Sequence, residues 1–535
     1  MATYFFETIT AAQALAILTT DNVVVNSAGN GSTYTVIYQP ATPTLAETIA
    51  VTLGARTVVF GTNVAAVSIA GNFVLADSTV VFIGDTADNS GGVASGSTGN
   101  DGLFGGDGID TLTGGGAGND LLQGNQGADS LVGGNGNDTV FGGQDDDAID
   151  VGGGSSAALD GSNFGQGNKG NDIVRGGTGA DTLLGGQGDD TIYGEGGANF
   201  LNGNLGDDYV EGGAGADLIF GEDGADNLYG GAGGADVING GNGYDFIDTG
   251  TDSATVWGGA DNDTIYLNGG GVANGQEGDD SIYGSNNAVG GDTILGGQDD
   301  DYIYGRGGLD LLNGNAGDDT IYGGSSTDTI NGETGDDVLY GFGANDSMSG
   351  GDGDDYIYLG GAGATGFNTG DGGAGGDTIE GGSGTDNIIG GDGGDELYGF
   401  GGSDTINGGA SNDTIDSGDG KDFLTGGVGS DLFWFGLGES GTTIGSQDLI
   451  LDWGSTDRIN FNGADTSYTE ASVGDVASAV AFANAQIAAG IDVVAVQVGT
   501  DVMVFADNDG LDGNYEDAVI LVGRTIADIS AANID

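Results

Sequence analysis

One nine-residue unit, G-G-x-G-x-D-x-U-x with U a large apolar residue, recurs along most of this 535-residue chain. It is plainest in "GGQGDDTIYGEGG" (185–197), "GGAGADLIFGEDGADNLYGG" (212–231) and "GGSGTDNIIGGDGGDELYGFGGSDTINGG" (381–409). A helix is excluded, because glycine at this density costs about 1 kcal/mol per site relative to alanine. The glycine-rich half permits a tight turn, and x-U-x reads as a short strand with one side chain pointing inward. Two units, eighteen residues, then complete one coil. The expected fold is all-β: a flattened right-handed solenoid with two parallel sheets and a thin aliphatic core.

Aligned on the acid, the beat falls into blocks. The first holds Asp110, Asp120, Asp129, Asp138 and Asp147. Asp172, Asp181, Asp190, Asn199, Asp208, Asp217, Asp226, Asp236 and Asp245 form the second. After an irregular stretch containing Asp263 and Asp280 come Asp301, Asp310, Asp319, Asp328, Asp337, Asp346 and Asp355. The last block runs through Asp377, Asp386, Asp395, Asp404, Asp413, Asp422 and Asp431. An apolar residue follows two positions later, as at Leu183, Ile192, Ile303, Ile321, Ile330, Ile406 and Leu424.

The turns would bring these carboxylates into columns along both edges, where a positive species must sit between them. Asp carboxylates and turn carbonyls are hard oxygen ligands, which favour Ca²⁺ over zinc or copper. Every Asp in the blocks, together with Asp263 and Asp280, is therefore a candidate metal ligand. Composition agrees. The formal charge is −75, with seven Lys and Arg in all, so the surface attracts cations and lacks the clustered positive charge that nucleic acid requires. Cysteine and histidine are absent, which removes disulfides, thiolate sites, zinc-protease motifs and imidazole-based triads.

With about thirty such units in register, the chain resembles the RTX (repeats-in-toxin) proteins, whose Ca²⁺-binding β-roll carries this nonapeptide. The resemblance implies an ion between each turn and the turn one coil further along. Pairs such as Asp172/Asp190, Asp301/Asp319 and Asp386/Asp404 would share ions, and on the order of 25 Ca²⁺ would offset about 50 negative charges. It further implies a chain held open by carboxylate repulsion at low calcium and folded at the millimolar calcium outside a Gram-negative cell.

A second beat lies three residues past the Asp. Tyr304, Tyr322, Tyr340 and Tyr358 are eighteen apart, while the intervening units show Asn313, Asn331 and Ser349. The tyrosines, joined by Tyr302 and Tyr356, should form a ladder on one face. That ladder serves either cross-strand stabilisation or an assembly or glycan-stacking face.

The expected domains are a β-rich cap or anchoring region (1–95), the repeat array (96–435) and a small α+β C-terminal region (436–535). The array's blocks are about 105–147, 167–247, 296–358 and 372–435, with breaks near 148–171, 246–300 and 356–376. The breaks read as surface loops, kinks between blocks or contact elements. The N-terminus lacks a secretory signal pattern, and no stretch reaches the roughly 18 apolar residues of a membrane span. Past the repeats, "QDLILDWGSTDRINF" resembles the closing segment of RTX arrays, and the tail resembles an uncleaved type I secretion signal. Asp475 should cap a helix that ends at Gly490, with strands "DVVAVQVG" and "DVMVFADNDG" following. The loop 507–517 is a weaker candidate for another ion.

No catalytic constellation is visible and no pore-forming region precedes the repeats. The reading is a secreted structural protein, self-assembling into a surface layer or filament and exported by type I machinery. The alternatives are an adhesin that binds cell-surface polysaccharide through the tyrosine face, or a polysaccharide-modifying enzyme.

Overall fold

The structure is a computed structural model. It describes residues 95–534 except 97–98, 153–159, 288–289, 361–365, 463–466 and 509–513; before residue 95 it describes strand backbone alone. The chain forms two compact units, Met1–Gly269 and Gly270–Asp535, dividing within the repeats. Each is a parallel β-solenoid built as the nine-residue beat requires.

In the first unit one sheet contains strands such as Thr182–Gln187, Phe200–Leu205 and Leu218–Asp223. The other contains Thr191–Tyr193, Tyr209–Ala214 and Asn227–Ala232. Pairing is parallel and one coil out, with Leu183 beside Leu201 and Ile192 beside Val210. Because side chains alternate along a strand, the U residue of each unit points in. Leu183, Ile192, Leu201, Val210, Ile219 and Leu228 all have no exposed surface. The second sheet carries aromatic side chains outward and is called here the aromatic sheet; its partner is the facing sheet.

The same pattern fills the second unit. Thr320–Gly324 and Val338–Phe342 belong to its aromatic sheet, Leu311–Ala316 and Thr329–Thr334 to its facing sheet. Turn geometry rests on left-handed backbone at the second and fourth positions of the unit, as at Gly186 (φ 131°) and Gly188 (φ 121°). Asparagine also adopts this region, and Asn204 and Asn315 take the second position at φ 80° and 78°.

The strands on either side of the breaks near 148–171 and 356–376 stay paired. Ala148–Asp150 still pairs with Ile173–Arg175, and Tyr356–Tyr358 with Thr378–Gly382. Residues 153–159 and 361–365 of those breaks lie outside the described residues. In the 246–300 stretch, Ala254–Ala260 pairs with Val237–Asn242 and Gly271–Glu277 with Thr293–Gln298, so coils continue where the sequence beat is hard to hear.

Further strands lie at both ends. Strands Tyr34–Gln39, Thr48–Leu53 and Arg56–Gly61 form an antiparallel sheet, and Val81–Ile83 pairs with the strand of the first facing coil, Gly102–Asp107. At the other end Asp448–Ile450 pairs with both Phe423–Val428 and Asp517–Leu521. Helix α1 (Val476–Ile487) is capped by Asp475, whose carboxylate accepts the Ser478 N–H at 2.8 Å. Gly490 follows it at φ 90°. Ala479, Ala483 and Ile487 pack against Val494, Val496 and Phe505 on the antiparallel strands Val493–Val498 and Asp501–Ala506. Among the described residues no helix is long and apolar enough to cross a membrane.

Candidate metal centres

Every aspartate singled out from the sequence blocks, Asp263 and Asp280 included, is buried, none more than 3 % exposed. Each unit arranges them in two ladders, one along each edge. In the first unit the ladder entering the aromatic sheet runs Asp110, Asp129, Asp147, Asp172, Asp190, Asp208, Asp226, Asp245, Asp263. The ladder entering the facing sheet runs Asp101, Asp120, Asp138, Asn163, Asp181, Asn199, Asp217, Asp236.

The second unit repeats this arrangement. Its aromatic-sheet ladder is Asp280, Asp301, Asp319, Asp337, Asp355, Asp377, Asp395, Asp413, Asp431, Asp457. Its facing-sheet ladder is Asp292, Asp310, Asp328, Asp346, Asn368, Asp386, Asp404, Asp422, Asp448. At every rung the backbone N–H of one residue donates to Oδ1 of the residue one coil further on. The pairs singled out above obey this rule, with 2.7 Å for Asp172 to Asp190 and 2.8 Å for both Asp301 to Asp319 and Asp386 to Asp404. The bond survives the insertions, at 2.7 Å from Asp147 to Asp172 and 2.9 Å from Asp355 to Asp377.

The other carboxylate oxygen is the informative one. Oδ2 of Asp129, Asp172, Asp190, Asp208, Asp319, Asp337, Asp404 and Asp431, among others, is buried with no hydrogen-bond donor. It turns back into its own glycine-rich loop. A Cβ on Gly185 would overlap Oδ2 of Asp190 and stand 2.7 Å from the carbonyl oxygen of Gly203, the matching loop of the next coil. Gly314 meets Oδ2 of Asp319 and the Gly332 carbonyl, and Gly390 meets Oδ2 of Asp395 and the Gly408 carbonyl, in the same way. Two oxygen acceptors from successive coils thus share a buried pocket that only glycine leaves open.

Burying a carboxylate without a partner is costly. Burial accordingly pushes Asp120, Asp147, Asp208, Asp301 and Asp404 up to about 8, and Asp190 to about 7. Neighbouring carboxylates raise them further, and the backbone N–H bonds only partly oppose this. A cation in the pocket would remove the penalty. Among the described residues no three acidic side chains converge on one point, so an ion would complete its shell with backbone carbonyls. Such an all-oxygen set fits Ca²⁺.

Four rungs escaped the sequence reading: Asp101, Asp292, Asp448 and Asp457. Each has the detectable signal of an apolar residue two positions on (Leu103, Ile294, Ile450, Ile459), without the full glycine frame. Asn163 and Asn368 lack even that signal, with glycine two positions on (Gly165, Gly370). A further exposed ladder one residue earlier was also missed. There the Asp207 N–H donates back to Oδ1 of Asp189 at 3.1 Å, and Asp318, Asp336 and Asp354 repeat the step. In the loop 507–517, Asp517 is committed to the N–H groups of Gly438 and Ser440, while 509–513 lie outside the described residues.

On the aromatic sheet the tyrosines of the second beat lie in one strip of ring contacts. Tyr322 stacks on Tyr340 at 4.8 Å and 8°, Tyr304 meets Tyr322 edge-on at 5.9 Å, and Tyr358 meets Tyr340 at 6.2 Å. Tyr302 and Tyr356 join the same strip, at 5.5 Å from Tyr322 and 6.1 Å from Tyr340. The first unit carries its own strip, Tyr193, Tyr209, Tyr229, Phe246 and Tyr266, with neighbouring rings 5.2–5.8 Å apart.

These features define a parallel β-solenoid with buried carboxylate ladders suited to a column of hard cations. The sequence model of the RTX calcium-binding nonapeptide repeat matches ten segments between residues 95 and 433, and the chain belongs to that family. It is accordingly a calcium-binding repeat protein. No curated protein matches it. Among solved structures it is similar to the AlgE6R3 subunit of the Azotobacter vinelandii mannuronan C5-epimerase. The two are 30% identical over 31% of this chain and 80% of that one, with a TM-score of 0.16.

Proposed function

We propose that this is a secreted structural protein that folds when it meets calcium outside the cell and then assembles with copies of itself into a surface layer or filament. The observation that carries this reading is the pair of ladders in each unit, where buried Oδ2 atoms such as those of Asp172, Asp190, Asp319 and Asp404 lack donors. A chain built this way is stable only where cations bind its folded form, and stability then follows calcium by mass action. Type I machinery would deliver it as an open chain. Repeats occupy most of the sequence, and histidine and cysteine are absent, which leaves an architectural role as the economical reading.

A second reading rests on the aromatic strips. Half-buried tyrosines in a row can stack on sugar rings, which would suit an adhesin that grips cell-surface polysaccharide. Negative-stain microscopy of the purified chain, from chelator to about 10 mM Ca²⁺, separates the two. Sheets or fibres appearing with calcium support assembly. Folded, dispersed monomers with saccharide affinity would replace it with adhesion.

A further inference from the structure

Three rungs of the ladders are amides, and all three stand on the facing-sheet edge: Asn163, Asn199 and Asn368. The aromatic-sheet ladders, Asp110 to Asp263 and Asp280 to Asp457, are aspartate throughout. At each amide rung Oδ1 keeps the ladder bond, accepting the N–H of Asp138 at 2.8 Å, Asp181 at 2.9 Å and Asp346 at 3.0 Å. That bond fixes the orientation, because a flipped amide would set its NH₂ against a backbone N–H. Nδ2 therefore occupies the place where an aspartate holds its donorless oxygen.

At two of the three rungs Nδ2 finds an acceptor. Asn368 Nδ2 donates to Oδ1 of Asp386, one coil on, at 3.0 Å. Asn163 Nδ2 donates to Oδ1 of Asp160 at 3.2 Å and to the Gly161 carbonyl at 3.4 Å. Asn199 Nδ2 is buried in the turn with no hydrogen-bond acceptor, yet it fills the ion's place: a Cβ on Gly194 would stand 2.7 Å from it and be overlapped by the Gly212 carbonyl oxygen. An NH₂ group repels a cation but can satisfy oxygens that an ion would otherwise bridge.

We propose that Asn163, Asn199 and Asn368 are calcium-free rungs, at which a neutral amide replaces the ion between two coils. The facing-sheet ion column is then interrupted at those coils, while within each unit the aromatic-sheet column is unbroken by amides. This rests on the ladder aspartates being the calcium ligands. The two edges consequently differ in calcium demand, and at Asn368 the amide adds a second inter-coil bond that needs no calcium.

The test is the number of Ca²⁺ ions retained by the full chain at saturating calcium, measured by equilibrium dialysis with elemental analysis. The variant Asn163→Asp/Asn199→Asp/Asn368→Asp should gain about three ions, and Asn199→Asp alone should gain about one if the triple variant folds poorly. A control, Asp172→Asn/Asp190→Asn/Asp208→Asn, should lose ions. If the control loses ions while the Asn→Asp variants gain none, the amide rungs already hold calcium and the inference falls. If the control retains its full complement, the ligand assignment falls and the inference with it.

Discussion

The backbone N–H of Asp190 donates to Oδ1 of Asp208 at 2.7 Å, while Oδ2 of Asp190 turns into its own loop and meets no donor. One carboxylate thus has two faces: one oxygen ties coils together, the other makes the tie conditional on a cation.

The first consequence is steric. Alanine at Gly185 would drive a methyl group into Oδ2 of Asp190 and the Gly203 carbonyl. Gly185→Ala should cost about 3 kcal/mol or more of calcium-dependent stability. At Gly474 nothing lies within 4 Å, so Gly474→Ala should stay within about 0.5 kcal/mol. Denaturant unfolding of both variants in excess calcium checks the contrast.

Chelation should unfold the repeats. Far-UV circular dichroism should show strand signal lost in EDTA and regained with Ca²⁺ but not with equimolar Mg²⁺, which demands tighter octahedral geometry and releases water reluctantly. Retention of full strand signal in EDTA at neutral pH would contradict the reading of the ladders.

Protons should partly substitute for calcium. Burial raises the ladder carboxyls to about 6 for Asp172 and about 8 for Asp208 and Asp301, above the ordinary carboxylate range. The calcium-free folded chain therefore holds protons that the unfolded chain releases. Its stability is fully present below the ordinary carboxyl pKa and is lost as pH rises through about 6 to 8. Calcium-free protein should gain strand signal as pH falls from 8 to 5, and calcium affinity should weaken over the same range. Circular dichroism and calorimetry at stepped pH read the two effects.

The aromatic strip should contribute stability independently of any ligand. Tyr322 touches Tyr302, Tyr304, Tyr340 and Phe342. Tyr322→Ala should cost about 1–3 kcal/mol in calcium. Tyr304, 36% exposed at the rim, should cost less on the same change. If the strip is an assembly face, Tyr322→Ala should also raise the calcium or protein concentration at which ordered assemblies form.

The coil was legible because its constraints are local. Every ninth residue from Asp301 to Asp355 repeats the same turn, and the inward Ile303 and Ile321 follow by alternation. The irregular stretches were opaque for the opposite reason. Asp147 and Asp172 bond across 25 residues because the strands beside them hold the register, and no beat in the sequence announces that. The first unit's strip was hidden because its rings alternate between the two outward positions of the strand, Tyr193 on one side of Ile192 and Tyr209 on the other side of Val210. No single eighteen-residue column therefore appears. Two of the amide rungs, Asn163 and Asn368, carry no hydrophobic signal, with glycine two positions on, whereas Asn199 keeps the signal in Leu201.

Adjacent amides in one loop pull opposite ways: the Asp207 N–H reaches back to Asp189, and the Asp208 N–H reaches forward to Asp226. A coil is therefore joined to both neighbours by identical fittings, and removing eighteen residues brings matching fittings together again. Length in such a protein is a digital quantity. Each duplication or loss of one coil changes it by about 4.8 Å, the spacing between paired strands, and leaves both joints intact. Evolution or an engineer can set the span of either unit by counting coils.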